Sequence, residues 1–217
     1  QNDPVEAEQL TQRLQADGDA RQHGIAHVLG RTMFRTGDLD EARGEIRKCA
    51  ATCRTTADLG PGWLEPMKVP SPARESRVRY ESLGPIFAVM PWNFPLWQVL
   101  RFFAPAFLVG NTTVVKHAEN VPACADAIEA VFREAGMPDG TVVNLRVDHP
   151  TAAKIIADER IRSVTITGSV RAGRAVAATA GSVGKKAVLE LGGSDPFIIF
   201  ADADFDTAVK TAIAARL

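Results

Sequence analysis

Residues 83–116 of the chain are LGPIFAVMPWNFPLWQVLRFFAPAFLVGNTTVVK, and this stretch indicates the fold. Its only formal charge before Lys116 is Arg101, so most of the stretch is predicted to be buried. It exceeds the roughly 20 apolar residues that cross a bilayer. However, four prolines interrupt it, and each removes a helix hydrogen bond that lipid cannot replace. We therefore predict a buried strand, a loop, a buried helix and a second buried strand.

The same alternation continues toward the C-terminus. Short, mostly uncharged segments rich in β-branched residues are typical of strands buried on both faces of a parallel sheet. Such segments occur at residues 86–90, 112–116, 142–145, 163–167, 187–191 and 197–200. Helices are predicted between them at residues 96–108, 122–135, 151–158 and 170–180. This alternation predicts an α/β fold: a doubly wound, mostly parallel sheet with helices on both faces.

The two ends of the chain are predicted to be helical. In the polar first part, a helix beginning after Asp38 is expected to end at Gly60 and Pro61. Residues 61–76 contain four of the 13 prolines and are predicted to be a linker or crossover. Residues 77–81 (RVRYE) alternate as an exposed or edge strand does. Residues 205–217 form a predicted helix without a stop signal, so we expect a longer protein.

The composition argues against several classes of protein. Among 217 residues, 25 Lys and Arg oppose 26 Asp and Glu, a net charge of −1. This balance predicts no partner among nucleic acids or anionic membranes. With 46% hydrophobic and 24% charged residues, the chain is expected to bury a real core. It begins at Gln1 with no leader-like segment, so no targeting signal is expected within it.

The three cysteines are Cys49, Cys53 and Cys124. An odd, sparse set does not build a disulfide framework and favours a reducing compartment, so a cytoplasmic location is expected. Cys49 and Cys53 lie four positions apart, on one face of the predicted first helix. No Cys or His pair at zinc-binding spacing lies nearby, so we interpret them as small core residues and predict no metal site.

Parallel sheets bind ligands beyond the carboxyl ends of their strands, so the turns after the predicted strands are the candidate site. The first turn, residues 91–95, is PWNFP. Two prolines stiffen it, and Asn93 between them could donate its side-chain amide to a developing oxyanion. Capping of the next helix by Asn93 is the simpler alternative.

The second turn, residues 115–119, is VKHAE. Lys116 and Glu119 could hold ribose hydroxyls, as an acidic residue does in dinucleotide-binding folds. The alternative is a solvated ion pair at the end of a strand. His117 is a lone histidine to which the sequence assigns no role.

Two further turns hold small residues or a carboxylate. In residues 167–173 (TGSVRAG), Gly168, Ser169 and Gly173 leave room for a phosphate at a helix N-terminus, although the full G-x-G-x-x-G pattern is absent. In residues 189–193 (LELGG), Glu190 ends an apolar strand. Burial there would suit a general base that works near neutral pH. Bonding of its carboxylate to nearby backbone N–H groups is the alternative.

Together these motifs resemble one family, the aldehyde dehydrogenases. The resemblance covers residues 77–217 and rests on PWNFP, the Lys116 and Glu119 pair, GSVRAG, ELGG and the DAD of residues 202–204, in the family's order. The first sixty residues match only loosely. LGPIFAVMPWNFPLWQV and LELGGSDPF are most similar to the succinate-semialdehyde dehydrogenase branch.

The resemblance implies NAD(P)-dependent oxidation of a small aldehyde to its acid, with succinate semialdehyde as a candidate. Catalytic roles fall to Asn93, which would stabilise the oxyanion, and to Glu190, which would activate water. The implied cofactor-binding residues are Trp92, Lys116, Glu119, Gly168, Ser169, Gly173, Leu191 and Gly192. NAD is the expected cofactor and NADP the alternative, because Glu119 would repel a 2′-phosphate.

One departure from the family pattern concerns the nucleophile. The family's catalytic cysteine would follow Leu217, and none of the three cysteines present lies at the matching position. We therefore expect this chain alone to be inactive. An acylating aldehyde dehydrogenase, an acyl-phosphate reductase or a non-catalytic nucleotide-binding module are the alternatives, and Glu190 favours oxidation to the acid.

The resemblance also implies an organisation in four parts. These are an N-terminal helical part of the cofactor domain (1–63), a crossover and oligomerisation strand segment (64–82), the NAD(P)-binding domain (83–194) and the start of a catalytic domain (195–217). Because residues 77–81 stand where the family's subunit-joining strand lies, a homodimer or homotetramer is expected for the full-length protein.

Overall fold

The computed structural model describes residues 39–216, which begin with a long helix, α1 (Leu39–Trp63). Its buried side chains include Ala42, Glu45 and Cys49, spaced so that they share one face. The predicted end at Gly60 and Pro61 is wrong by a few residues, because the helix continues through Pro61. The proline lacks an N–H, but its carbonyl oxygen still accepts a bond from the backbone N–H of Leu64, at 3.2 Å.

A small antiparallel ladder follows in the segment predicted to be a linker. It joins β1 (Met67–Lys68) to β2 (Arg77–Val78), with Met67 opposite Val78. The predicted strand at residues 77–81 is therefore reduced to its first two residues. All four residues of the ladder are exposed.

The main sheet has five parallel strands in the order β5-β4-β3-β6-β7. Ile86 of β3 lies between Thr113 of β4 and Ser163 of β6. The first five strands of the sequence prediction are confirmed to within two residues. The strands are β3 (Ile86–Met90), β4 (Thr113–His117), β5 (Val142–Asn144), β6 (Ser163–Gly168) and β7 (Lys186–Leu191).

The predicted sixth strand, residues 197–200, is wrong. Phe197 and Phe200 are exposed, and residues 192–200 pair with no strand within the part of the chain that the structure describes. A segment forms a strand only when its backbone pairs with that of a neighbouring strand. Among these residues β7, at the edge of the sheet, pairs only with β6 and not with residues 197–200. Apolar and β-branched composition alone was not sufficient to make this segment a strand.

Helices cover both faces of the sheet, as the doubly wound prediction requires. The helices after α1 are α2 (Trp97–Leu108), α3 (Pro122–Glu134), α4 (His149–Ala157), α5 (Val170–Ser182) and α6 (Phe205–Arg216). One core contains Met90, Val99, Phe103, Cys124 and Phe132 and lies beneath α1, α2 and α3. The other contains Phe87, Ile156, Val164 and Ala180 and lies beneath α4 and α5.

Strand β7 differs from its prediction in burial. It was expected to be covered on both faces, yet Val188 and Leu189 are 43% and 39% exposed. Within residues 39–216 the strand is at the sheet edge and contacts mainly β6 and α5. No helix among these residues is long and apolar enough to cross a membrane.

Candidate active site

The sheet winds outward from β3 in two directions. Strands β4 and β5 follow on one side, and the chain then crosses back to place β6 and β7 on the other. In such sheets ligands usually bind in the crevice where the strand order reverses. Here that crevice lies between the carboxyl ends of β3 and β6. The turns after β3 and after β6 border this crevice.

Asn93 lies in the turn after β3 and is exposed, as are Trp92 and Phe94 beside it. Helix α2 begins only at Trp97, and its N-cap residue, Leu96, has no side-chain cap. The capping alternative for Asn93 is therefore wrong. Asn93 is thus an exposed residue at the carboxyl end of β3.

Two buried side chains from other elements hold the residues that follow Asn93. Glu45 of α1 accepts hydrogen bonds through Oε1 from the backbone N–H groups of Leu96 and Trp97, at 2.9 and 2.7 Å. His117, the last residue of β4, bonds through Nε2 to the carbonyl oxygen of Pro95 at 2.8 Å. Burial raises the pKa of Glu45 and lowers the pKa of His117.

Sequence reasoning missed both of these residues. For His117 it found no role. For Glu45 a signal existed, since a carboxylate falls between Ala42 and Cys49 on the buried face of α1. A charge on such a face requires a partner, although the sequence does not say which one.

The second turn lies at the end of β4. Lys116 is only 5% exposed, whereas Glu119, three residues later, is exposed. None of the ion pairs among the described residues joins the two, so the ion-pair alternative is wrong. An open cavity of about 420 Å³ lies at the carboxyl ends of β4 and β5, lined among others by Glu119, Asn144, Arg146 and Asp148.

The third turn joins β6 to α5 with very few residues. Gly168 ends the strand, and Ser169 caps the helix, its Oγ accepting from the backbone N–H of Ala172 at 3.2 Å. A Cβ on Gly173 would lie 2.4 Å from Cδ2 of Leu191, so a larger residue here would require the Leu191 side chain to move. The exposed first N–H groups of this 13-residue helix are suited to a phosphate.

The fourth turn corrects an expectation. Glu190 was predicted to be buried, but its side chain is 55% exposed because β7 is an edge strand in the described residues. Its carboxylate pairs with Arg101 of α2, with Nη2 and Oε2 3.0 Å apart. The alternative of bonding to nearby backbone N–H groups is thus replaced by an ion pair across the crevice. Gly192 is exposed, with open space around its Cα.

Arg101 is therefore a site residue that sequence reasoning missed. The sequence did contain an indication of its importance, because Arg101 is the only formal charge between residues 83 and 115. Its side chain is 35% exposed. A half-buried guanidinium in an otherwise apolar segment indicates a specific anionic partner.

The three cysteines lie away from this crevice, in α1 and α3, and all are free thiols. Burial raises the pKa of Cys53 to about 11 and that of Cys124 to about 12, and it also raises the pKa of Cys49. Only the thiolate is a nucleophile. None of the three is thus suited to attack a carbonyl at neutral pH. The described residues contain no group of three or more His, Cys, Asp or Glu side chains suited to a metal ion.

These raised pKa values predict slow thiol labelling. At pH 8 the native chain should react with iodoacetamide at least about 100-fold more slowly than a free thiol, because the thiolate fraction is small. Labelling should accelerate as the pH approaches 11, and in denaturant it should match a free thiol at every pH. Mass spectrometry of the labelled peptides measures each site. Labelling of Cys53 at the free-thiol rate in the native state at pH 8 would contradict this assignment.

Comparison with known proteins gives one consistent result. The profile described as "Aldehyde dehydrogenase family" matches residues 7–217. A probable succinate-semialdehyde dehydrogenase [NADP(+)] of Synechocystis sp. is 48% identical over 179 residues, 82% of this chain and 39% of that protein. The succinate semialdehyde dehydrogenase [NAD(P)+] Sad of Escherichia coli is 46% identical over 197 residues, 91% of this chain and 42% of that protein.

Solved structures agree with the sequence relatives. The succinic semialdehyde dehydrogenase of Streptococcus pyogenes, in complex with NADP+, superposes with a TM-score of 0.86 at 37% identity. The match covers 95% of this chain and 44% of that one. The chain thus spans about two fifths of the length of these relatives. Together with the motifs at the carboxyl edge of the sheet, these matches establish that the chain belongs to the aldehyde dehydrogenase family.

Proposed function

We propose that the complete protein is an NAD(P)-dependent aldehyde dehydrogenase that oxidises a small aldehyde to its acid. This chain supplies the cofactor-binding part and two catalytic groups, Asn93 and Glu190. The observation that carries the proposal is their placement. The Asn93 turn, the N-terminus of α5 and Glu190 all lie at the carboxyl edge of three adjacent strands, β3, β6 and β7.

In this proposal each part of this edge has a role. Lys116 and Glu119 would hold the adenosine ribose, and the cavity beside Glu119 would receive the adenosine. The first N–H groups of α5 would bind the pyrophosphate, and Gly173 lets that helix approach the sheet. Trp92, Leu191 and Gly192 would border the nicotinamide end. The bound cofactor would supply the hydride acceptor.

Two side chains would act on the aldehyde carbon. The Asn93 amide would donate a hydrogen bond to the oxygen that becomes negative when a nucleophile adds to the carbonyl. Glu190 would accept a proton from the water that releases the acid, because an exposed carboxylate at this edge has access to solvent. The nucleophile itself is expected beyond Leu217.

Arg101 is a candidate contact for an aldehyde that carries a carboxylate. Its guanidinium lies 3.0 Å from the carboxylate of Glu190, the proposed base. A guanidinium has five N–H donors, so the donors that Glu190 does not use could bind the distal carboxylate of a substrate. Succinate semialdehyde has such a group, and it appears in the names of several relatives.

The experiment that tests the function is an oxidation assay on the complete protein. Succinate semialdehyde and uncharged butanal are each incubated with NAD+ or NADP+, and reduced nicotinamide and the acid product are measured. We expect kcat/KM for succinate semialdehyde to exceed that for butanal at least about tenfold, and Arg101→Gln to remove most of this difference. Formation of no reduced nicotinamide from either aldehyde would refute the proposal.

For the cofactor, we predict NAD over NADP, because Glu119 would face the ribose 2′ position. A 2′-phosphate near this carboxylate would be repelled by a few kcal/mol, an effect that Lys116 offsets in part. Glu119→Ser should therefore raise NADP use relative to NAD by about tenfold. Values of kcat/KM for both cofactors measure this ratio.

A matched control exists for this substitution. Glu159 is an exposed glutamate in the turn before β6, at the opposite edge of the sheet, so Glu159→Ser should leave the ratio unchanged. Equal or better use of NADP by the parent enzyme would show that Glu119 does not face the ribose as proposed.

We also propose a homodimer or homotetramer in a reducing compartment such as the cytoplasm. The β1–β2 ladder is exposed, and so are Met67, Val78 and Tyr80 in or beside it. An exposed ladder edge is a template for pairing with another chain. Light scattering on the complete protein at micromolar concentration should give two or four subunits, and a monomeric mass would count against this assignment.

A further inference from the structure

Two prolines, Pro91 and Pro95, fix backbone φ angles in the turn that carries Asn93. Neither has an N–H to donate, and Trp92, Asn93 and Phe94 are exposed. The carbonyl oxygen of Phe94 accepts from the backbone N–H of Gln98, at the start of α2. Other elements of the fold bond to this turn at its C-terminal end.

That end is held from one side by Glu45. The first N–H groups of a helix lack intrahelical partners, and Oε1 of Glu45 accepts from two of them, on Leu96 and Trp97. The acceptor comes from α1, 51 residues earlier in the chain. Lys48, one turn further along α1, lies with its Nζ 3.9 Å from the centroid of the Trp97 ring. Helix α1 therefore contacts the start of α2 through two side chains, Glu45 and Lys48.

The same end is held from the other side by His117. The backbone N–H of Ala118 donates to Nδ1 of the ring at 2.9 Å, so Nδ1 is the acceptor and Nε2 carries the proton. Nε2 then donates to the carbonyl oxygen of Pro95. One neutral, buried imidazole therefore connects the turn after β3 to the turn after β4. His117 also lines the cavity assigned to adenosine.

We propose that Glu45 and His117 are positioning residues that clamp the Asn93 turn and so preorganise its amide for the oxyanion. The inference rests on the proposed function, since it assigns the clamp to the oxidation of an aldehyde. Asn93 lies two residues before Pro95 and three before Leu96, so motion at the clamp is transmitted to its amide. A misplacement of about 1 Å can cost on the order of 100-fold in rate, and donors in such sites act only when they are held in advance.

The two halves of the clamp should differ in their effects. Glu45 touches the turn but not the adenosine cavity, so Glu45→Leu should lower kcat about tenfold or more while cofactor KM stays within about twofold. His117 touches both, so His117→Leu should lower kcat and also raise cofactor KM. Glu45→Gln keeps an acceptor and His117→Gln keeps a donor at similar reach, so each should restore most of kcat.

The test compares these variants of the complete protein by steady-state kinetics and by amide hydrogen exchange over residues 91–100. The amides of Leu96 and Trp97 should be protected in the parent and in Glu45→Gln and should exchange quickly in Glu45→Leu. Glu45→Asp, which is shorter but still charged, replaces Glu45→Leu if that variant does not fold. Thr56→Val is the control, because Thr56 is also a buried polar residue of α1 but lies three turns away.

Two results would overturn the proposal. One is fast exchange at Leu96 and Trp97 with parental kcat, which would separate the clamp from catalysis. The other is an equal loss of kcat in Thr56→Val and Glu45→Leu, which would indicate a general loss of stability. If the parent oxidises no aldehyde, the proposed function fails, and unprotected Leu96 and Trp97 amides in that parent would independently refute the clamp.

Discussion

Replacing Glu190 by glutamine in the complete protein is expected to slow steady-state acid formation strongly while leaving one fast burst of reduced nicotinamide. In the proposed reaction, the nucleophile would add and hydride would be transferred before water releases the acid, and only that last step would need the proposed base. A positioned general base contributes typically about 10²–10⁴ in rate. Stopped-flow absorbance should therefore show a burst of one equivalent per active site and a steady-state rate reduced by about that factor.

The Arg101–Glu190 ion pair requires a control, because Glu190→Gln breaks it as well as removing the base. Arg101→Gln breaks the same pair and keeps the carboxylate. It should retain multiple turnovers and raise KM for an aldehyde with a carboxylate. Parental steady-state turnover in Glu190→Gln would show that another group activates water. Continued reduction of nicotinamide by the parent should not require added coenzyme A or phosphate, to which an acylating relative would transfer the acyl group instead of releasing the acid.

The second large effect is expected for Asn93→Ala. Removal of one oxyanion donor costs about 10²–10³ in kcat, and here the loss should fall on the early steps. The burst itself should therefore become slow, in contrast to Glu190→Gln, where it stays fast. Cofactor KM should change little, because the proposed hydrogen bond of Asn93 goes to the reacting oxygen of the aldehyde and not to the cofactor.

Asn93→Asp tests whether the hydrogen-bond donor of Asn93, and not only the size of its side chain, is needed. It keeps the size of the side chain but places a carboxylate where negative charge develops, so its rate should not exceed that of Asn93→Ala. Rates for Asn93→Ala and Asn93→Asp within about threefold of the parent would show that the Asn93 amide does not face the reacting oxygen.

The strands were predictable because parallel strands buried on two faces leave short apolar, β-branched segments in the sequence. Residues 86–90 were predicted without error, and β4 was misplaced by a single residue. Residues 197–200 have a similar composition but pair with no strand among the described residues. The exposure of β7 and Glu190 was not predicted for a similar reason. The residues of an edge strand do not specify which other element covers that strand.

The candidate site was predictable to the level of its turns. Parallel strands end at the same edge, so the motifs after β3, β4, β6 and β7 had to lie along one side of the sheet. The contacts between elements were not predictable. Glu45 reaches Leu96 across 51 residues and His117 reaches Pro95 across 22. Such pairings depend on how α1 and β4 pack, which periodicity within either element does not specify.

The most direct test of the proposed cofactor site is a crystal structure of the complete protein with bound NAD+. The ribose hydroxyls should lie at Lys116 and Glu119, the pyrophosphate at the N-terminus of α5 beside Ser169, and the nicotinamide ring between the Asn93 turn and Glu190. A dinucleotide bound away from the carboxyl edge of β3 and β6, or with its ribose facing away from Glu119, would contradict this placement.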